Sequence, residues 1–318
     1  MLKTRIQSKL EKSVKKYFIK HPEVKLVAVV GSVGKTSTKI AIGTVLAQKY
    51  RIRLHEGNHN SELSAPLAIL GVEYPDNIRS FWAWWRVFRA VRKRIRQPAD
   101  VDVIVQELGT DAPGQIPHFG TYLTPDIAVV TAISPEHMEY FKTVDAVAAE
   151  ELAAANFSKL ALINRDDIDG MYAMDITNAN LNTYGSTDVA EYHFLVNDYT
   201  FADGFDGTFT GPELAAPVAT TVHLVGEHSI RSAVAAGAVG LKLGMSPEEV
   251  AVGMSKIRAV PGRMNLLRGV NGSTIIDDSY NSSPLAVASA LRALYQMQVP
   301  QRIAVLGSMN ELGEMSAQ

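Results

Sequence analysis

A chain of 318 residues, close to half of them hydrophobic and with a formal net charge of −2, has room for two or more cores; it reads as ordinary globular protein and not as a general nucleic-acid binder, although its charge is unevenly spread. With no cysteine it has neither a disulfide framework nor thiolate chemistry, which makes the cytoplasm the expected compartment. The basic N-terminus (Lys3, Arg5, Lys9, Lys12, Lys15, Lys16, Lys20) lacks the apolar run of a signal peptide, and no window reaches the length of a membrane-spanning helix.

Residues 1–21 carry the spacing of one amphipathic helix, with Leu2, Ile6, Leu10, Val14, Tyr17 and Phe18 on one side and Pro22 at its end, so 1–22 is a first unit. The apolar run Leu26 to Val30 overlaps Ala28-Val-Val-Gly-Ser-Val-Gly-Lys-Thr36, and helical spacing follows to about Tyr50. Strand, glycine turn and helix in that order are what a phosphate-binding loop requires. Gly31, Ser32 and Gly34 would close around phosphate oxygens, and Ser37 continues the loop into the positive end of the helix. Lys35 would reach the β- and γ-phosphates, and the Thr36 hydroxyl would hold Mg²⁺. Val29 stands where the ordinary pattern has its first glycine. A glycine turn with an incidental lysine is the alternative, and it leaves Gly-Lys-Thr at such a junction unexplained.

Arg51 to Leu54 is a short strand leading into the polar loop Glu56 to Pro66, where Asn58, Asn60 and Ser61 are candidate substrate contacts because loops at strand ends of open α/β sheets carry ligands. Residues 79–96 set Phe81, Trp84 or Trp85, Phe88, Val91 and Ile95 at helical spacing, with seven Arg or Lys among the other positions. Two readings stand: a helix lying on anionic lipid or contacting a phosphorylated substrate, and a helix whose aromatic stripe packs on the core with its basic face in water. Val101 to Val105 is a buried strand that delivers Glu107 to the ligand edge, where a carboxylate binds Mg²⁺. The strand Asp126 to Ile133 delivers His137 to the same edge. A helix over 144–157 and the strand Leu160 to Ile163 continue an alternating series that predicts a mostly parallel, doubly wound sheet.

Short alternating pieces, Tyr192 to Val196 and Thr220 to Leu224, predict a small antiparallel excursion at about 185–225. Gly226 to Ser232 precedes an alanine-rich helix to Leu243, and Ser246 caps a further helix with Pro247 at its first position. Pro261-Gly-Arg263 breaks the pattern, and the central unit runs over 23–268. The last piece, 269–318, holds Asp277-Asp-Ser-Tyr-Asn281, a helix to about Tyr295 and the strand Ile303 to Leu306. One β-α-β unit does not make a core, so the chain reads as cut off.

Taken together these segments resemble the Mur ligase family, most closely its MurF type. The phosphate loop has that family's variant spacing, which accounts for Val29. Glu56-Gly-Asn-His-Asn-Ser-Glu62 with Pro66, Glu107-Leu-Gly with Gly114-Gln-Ile116, and Thr131-Ala-Ile with His137-Met-Glu-Tyr-Phe141 are similar to its next motifs in order. Asp277-Asp-Ser-Tyr-Asn281 with Pro284, and 306–316, resemble motifs of the MurF branch. The resemblance implies a P-loop central domain followed by the start of a Rossmann-like C-terminal domain. It implies ATP and Mg²⁺ as cofactors, and amide bond formation through an acyl phosphate between a nucleotide-linked muramoyl peptide and D-Ala-D-Ala. Lys35, Glu107, His137 and Arg263 would then be catalytic; His228, Ser232, Asp278, Tyr280 and Asn281 would contact the nucleotide; Thr36, Glu107 and His137 would hold metal.

The chain departs from the family in four places. Where Mur ligases carry a carbamylated lysine, about fourteen residues after the histidine, it has Glu151 with Glu150 beside it; Glu151 is expected to serve as a Mg²⁺ ligand, against the alternative of a surface carboxylate. The adenine motif reads His228-Ser-Ile-Arg-Ser232, with serines where the family has asparagines. The resemblance leads one to expect a UDP-binding domain where this sequence offers the helix at 1–21, and a C-terminal domain longer than 269–318. Two other readings follow: a Mur-family amide ligase for a lipid-linked or polymeric acceptor, with peripheral membrane contact through 79–96, and a nucleotide-binding partner subunit without ligase activity. A plain phosphate-loop kinase would leave the motifs at 277–284 and 306–316 without a purpose.

Overall fold

The computed structural model describes residues 2–55, 60–309 and 312. In chain order the elements are α1 (Leu2–Lys20), β1 (Lys25–Val30), α2 (Lys35–Leu46), β2 (Ile52–Leu54), α3 (Ser64–Leu70), α4 (Phe81–Arg96), β3 (Val103–Glu107), α5 (Gln115–Gly120), β4 (Ile127–Val130), α6 (Met138–Phe141), α7 (Val144–Asn156) and β5 (Ala161–Asn164). There follow β6 (Leu181–Gly185), β7 (Tyr192–Thr200), β8 (Gly204–Thr210), β9 (Val218–Val222), α8 (Ile230–Lys242), α9 (Pro247–Ser255), β10 (Asn265–Arg268), β11 (Thr274–Asp277) and α10 (Pro284–Gln296).

Strand alternation decides how these pieces stack. Leu26, Ala28 and Val30 of β1 enter one core with α1, α3, α4, α5 and α7, while Val27 and Val29 enter a second core with α2, α8 and α9. A strand apolar on both faces has to be covered on both, and this one is. The sheet order is β2-β3-β1-β4-β5-β6-β7-β8-β9, parallel through β7 and antiparallel from β7 to β9. The expected antiparallel excursion therefore continues the main sheet, and β6 and β8, not anticipated from the sequence, join its two parts. Chain direction across the sheet reverses at β1, so the loops after β1, β3 and β4 open onto one crevice at the strands' C-terminal ends.

Helix α1 is part of this body, with Ile6, Leu10, Val14 and Tyr17 buried in the first core. The predicted stripe of α4 needs correction: Trp84, Val87 and Val91 are buried and Phe88 and Ile95 pack against them, whereas Phe81 and Trp85 are exposed. The capping box of α9 is present, Ser246 Oγ accepting from Glu249 N and Glu249 Oε2 from Ser246 N. Across the expected boundary at 268, β10 pairs antiparallel with β11, and among the described residues with no other strand. The strand expected at Ile303 to Leu306 does not form; Ile303, Val305 and Leu306 are 69%, 91% and 61% exposed, and no strand among the described residues pairs with them.

Candidate active site

The phosphate loop is built by glycine. Gly31 has φ 122 and a Cβ there would lie 2.3 Å from Thr131 Oγ1; Gly34, φ 84, is the residue from which α2 starts. Thr131 at the end of β4 fastens the turn by donating to Val33 O at 2.6 Å, and Ser32 N donates to Ala132 O at 2.9 Å. Lys35 Nζ donates to Gly31 O and Ser32 O and lies 3.3 Å from Glu136 Oε1. Burial alone would lower the lysine's pKa, but the charges of Glu136, Glu151 and Glu107 outweigh it and hold it above the ordinary value, so the side chain is an ammonium.

Thr36 Oγ1 donates to Glu107 Oε2 at 3.0 Å, and Asn60 Nδ2 donates to Glu107 Oε1 at 3.3 Å. Lys39 Nζ lies 3.5 Å from Glu107 Oε2. A hydroxyl and a carboxylate converging beside a phosphate loop fit Mg²⁺, which takes one or two protein oxygens and fills its octahedron with phosphate and water. No group of three His, Asp or Glu side chains placed to hold a metal occurs among the described residues. His137, in the left-handed region at φ 48, opens α6 with Nε2 at 3.6 Å from Glu136 and 3.7 Å from Asp111. Glu136, which Lys35 also contacts, places it at the Lys35 end of the site.

Glu151 is no surface carboxylate. It is wholly buried behind the loop, Oε2 accepting from Gly31 N at 2.7 Å, and it does not reach the cleft wall. Burial pushes its carboxyl up to about 7, against the pull of Lys35. Glu150, its alternate, is equally no surface residue: it accepts from Thr110 Oγ1, Gly114 N and Ile116 N and so shapes the loop that follows Glu107.

From beyond α9, Arg263 Nη2 donates to Thr36 Oγ1 at 3.1 Å, and its guanidinium sits 4.1 Å from the centre of the Tyr280 ring. Gly262 holds the turn, its N donating to Asp277 Oδ2 and its O accepting from Tyr280 N, both at 3.1 Å. Asp278 Oδ1 accepts from Met264 N at 3.0 Å, and burial raises its pKa. Ser232 Oγ is 3.2 Å from Thr38 Oγ1, and His228 is drawn down to about 4 by burial and by the charge of Arg231, so it is neutral.

Most of these side chains border one cleft of about 720 Å³. Its wall contains Ser32, Gly34, Lys35, Thr36, Ser37, Asn60, Ser61, Glu107, His137, His228, Ser232, Arg263, Asp278, Tyr280 and Asn281. Of the predicted residues, Gly31 and Glu151 stand behind it and Asn58 lies outside the described residues. The sequence reading missed Glu136, Asn164 and Asp167 on the same wall. Asn164 Nδ2 donates to Thr131 O and Asp167 Oδ2, and Arg231 binds Asp166 and Asp167 at 2.9 Å each, tying α8 to the end of β5. Asn164 ends β5 as Glu107 ends β3, and carrying the strand one residue further would have revealed it.

The Mur ligase middle domain matches residues 29–240, and the Mur ligase glutamate ligase domain matches residues 262–318. The chain belongs to the Mur ligase family. Among relatives of this Mur ligase, the UDP-N-acetylmuramoyl-tripeptide–D-alanyl-D-alanine ligase of Bacillus subtilis (strain 168) is 29% identical over 309 residues, covering 94% of this chain and 59% of the relative. The enzyme of the same name from Escherichia coli (strain K12) is 26% identical over 296 residues, 92% of this chain and 59% of its own. The crystal structure of MurF from Acinetobacter baumannii superposes with a TM-score of 0.81 at 21% identity, over 98% of this chain and 62% of that one. MurF from Thermotoga maritima in complex with ADP gives 0.77 at 22%, over 98% and 65%. These two likenesses carry the fold. The chain thus spans about three fifths of the length of the relatives it matches.

Proposed function

We propose that this Mur ligase forms an amide bond using ATP, joining D-alanyl-D-alanine to a nucleotide-linked muramoyl tripeptide. The observation that carries the reading is the convergence of Lys35, the Thr36–Glu107 pair and Arg263 on one cleft, in a chain whose relatives bear that name. In the proposed reaction the tripeptide carboxylate takes the γ-phosphoryl group of ATP, the amine attacks the resulting acyl phosphate, and phosphate leaves. Lys35 and the N–H groups at the start of α2 neutralise the phosphates. Mg²⁺, held by Thr36 and Glu107, would supply Lewis-acid charge at the transferring group. Arg263 faces the same oxygens from the far wall. Tyr280, Asp278 and Asn281 would hold the nucleoside from the C-terminal side, with Ser37, His228 and Ser232 opposite. His137 would serve the carboxylate end, and Asn60 and Ser61 the peptide. The reading puts the protein in the cytoplasm, where nucleotide-linked precursors are found; no described helix is long and apolar enough to cross a membrane.

The test is mass spectrometry of a mixture of the protein, ATP, Mg²⁺, UDP-muramoyl-tripeptide and D-alanyl-D-alanine, beside a Lys35→Ala control. A pentapeptide product that requires Lys35 is the expected result. ATP binding with no product would overturn it in favour of another acceptor or of a non-catalytic subunit. A lipid-linked acceptor is the second reading, favoured by the exposed aromatic and basic face of α4.

A further inference from the structure

Helices α1 and α4 run side by side in the same direction, Lys9 Nζ standing 4.0 Å from the centre of the Phe88 ring near their middles and Lys20 Nζ donating to Arg96 O at 3.0 Å at their C-terminal ends. Their inner sides fill the first core. Their outer sides carry charge of one sign. Residues 1–20 and 79–96 hold fourteen Lys and Arg against one carboxylate, Glu11, while the rest of the chain holds seventeen cations and thirty-two carboxylates. Glu11 is engaged by His118 at 2.7 Å, and of the α4 cations only Arg94 is drawn to a carboxylate, Asp100, among the ion pairs of the described residues. Arg86, Arg89, Arg92, Lys93 and Arg96 are exposed.

The first turns of α4 add what charge alone would not. Phe81, Trp82 and Trp85 are 74%, 70% and 48% exposed, and they form a connected ridge, with ring centres 5.8 Å apart for Phe81–Trp82 and 6.3 Å for Trp82–Trp85. The Arg89 guanidinium lies 5.7 Å from the Trp85 ring and joins the ridge to the basic face. Buried Trp84, donating from Nε1 to Ile78 O at 2.8 Å, fixes the helix start from which the ridge projects. Clustered exposed aromatics of this size mark an interaction site.

We propose that the joint outer face of α1 and α4 docks on an anionic lipid bilayer, with Phe81, Trp82 and Trp85 entering the headgroup layer and the cations of both helices meeting lipid phosphates. Amphipathic aromatic rings settle at the membrane–water boundary, and Lys and Arg clusters are drawn to anionic leaflets. A bilayer fits better than a nucleic acid, because the aromatics gather at one end of a helix and are not spaced between cations as base-stacking platforms are. Tyr74 packs edge-on against Trp84 at 6.4 Å and also lines the cleft, as does Lys3, so one edge of the cleft lies beside the docking face.

The experiment is flotation of the full chain with vesicles of phosphatidylglycerol in phosphatidylcholine and with vesicles of phosphatidylcholine alone, without nucleotide or substrate, so that its outcome is separate from that of the ligase assay. Two multiple variants at exposed positions accompany it, Trp82→Ser with Trp85→Ser, and Arg86→Gln, Arg89→Gln, Arg92→Gln with Lys93→Gln, each checked for an unchanged unfolding transition. The wild type is expected to float with anionic vesicles only, and each variant to lose about tenfold or more of that binding. Brominated phosphatidylcholine in the anionic vesicles should quench wild-type tryptophan emission and spare the Trp82→Ser, Trp85→Ser protein. Absence of flotation, variants that float like the wild type, or binding to a single-stranded oligonucleotide as tight as to vesicles without bromine quenching would each overturn the proposal.

Discussion

Glu151 Oε2 accepts a hydrogen bond from Gly31 N at 2.7 Å, which puts a buried carboxyl group directly behind the phosphate loop. Its pKa of about 7 exceeds the ordinary 4.5, so the folded chain keeps a proton that the unfolded chain gives up between those values. This contribution to stability is whole below pH 4.5, declines as pH rises, and is gone once pH passes about 7. The difference amounts to about 3 kcal/mol, 7 minus 4.5 at roughly 1.36 per unit. Glu151→Gln should flatten the pH dependence of urea unfolding across that window; an unchanged slope would show that another group titrates.

Glu150 makes a different prediction from the neighbouring position. Glu150→Ala strands the donors Thr110 Oγ1, Gly114 N and Ile116 N inside the protein. The loss should be about 3 kcal/mol of unfolding free energy, with Mg²⁺ dependence of ATP binding retained. A drop of only a few tenths would mean that the loop rearranges or that water replaces the carboxylate.

Thr36→Val and Glu107→Gln each remove one oxygen of the pair at 3.0 Å. Both should lower kcat by about 100-fold and raise the Mg²⁺ concentration needed for half-maximal turnover. If either variant titrated with Mg²⁺ like the wild type, that residue would not be a ligand.

Arg263 lies over the Tyr280 ring at 4.1 Å. Tyr280→Ala should raise the KM for ATP by about threefold to tenfold, while Tyr280→Phe, which keeps the ring face, should stay within about twofold. Equal effects of the two would point to the hydroxyl.

The two tryptophans of α4 separate core from surface. Trp84→Ala should cost about 3 kcal/mol or more in chemical denaturation, and Trp85→Ala less than about 1 kcal/mol, since Trp84 is 6% exposed and Trp85 48%. Comparable losses would contradict the packing described for α4.

The crevice was legible because its parts follow one rule, a polar residue at the C-terminal end of a buried parallel strand. Glu107, the last residue of β3, obeys it outright; Gly31 directly follows β1, and His137 follows β4 at a distance of seven residues, but the β-branched runs before all three announce the strands. Asn164 obeys it too and was passed over only because the run was ended at Ile163. Glu151 was read by counting from His137, and a count along a helix does not tell on which side of a loop the side chain emerges. Trp84 and Trp85 both fit a helical stripe; it is the contacts with Ile78 O and Tyr74, distant from the stripe's own spacing, that mark Trp84 as the inward one. β6 and β8 escaped because Leu181, Phe205 and Gly207 give no long apolar run, their pairing being set by the strands beside them. The strand at Ile303 to Leu306 has sequence propensity but no partner strand among the described residues, and a single strand without a ladder gains too little to order its backbone.

Lys35 is held between the loop's own carbonyls and Glu136, so the loop meets a nucleotide as a charge-balanced pair and not as a bare cation. Triphosphate binding then amounts to ion exchange, one anion taking the ammonium from another. Such an exchange depends less steeply on ionic strength than the capture of phosphate by an open cation. The carboxylate released is already 3.6 Å from His137 Nε2, so filling the phosphate end of the cleft adds free negative charge to its histidine end.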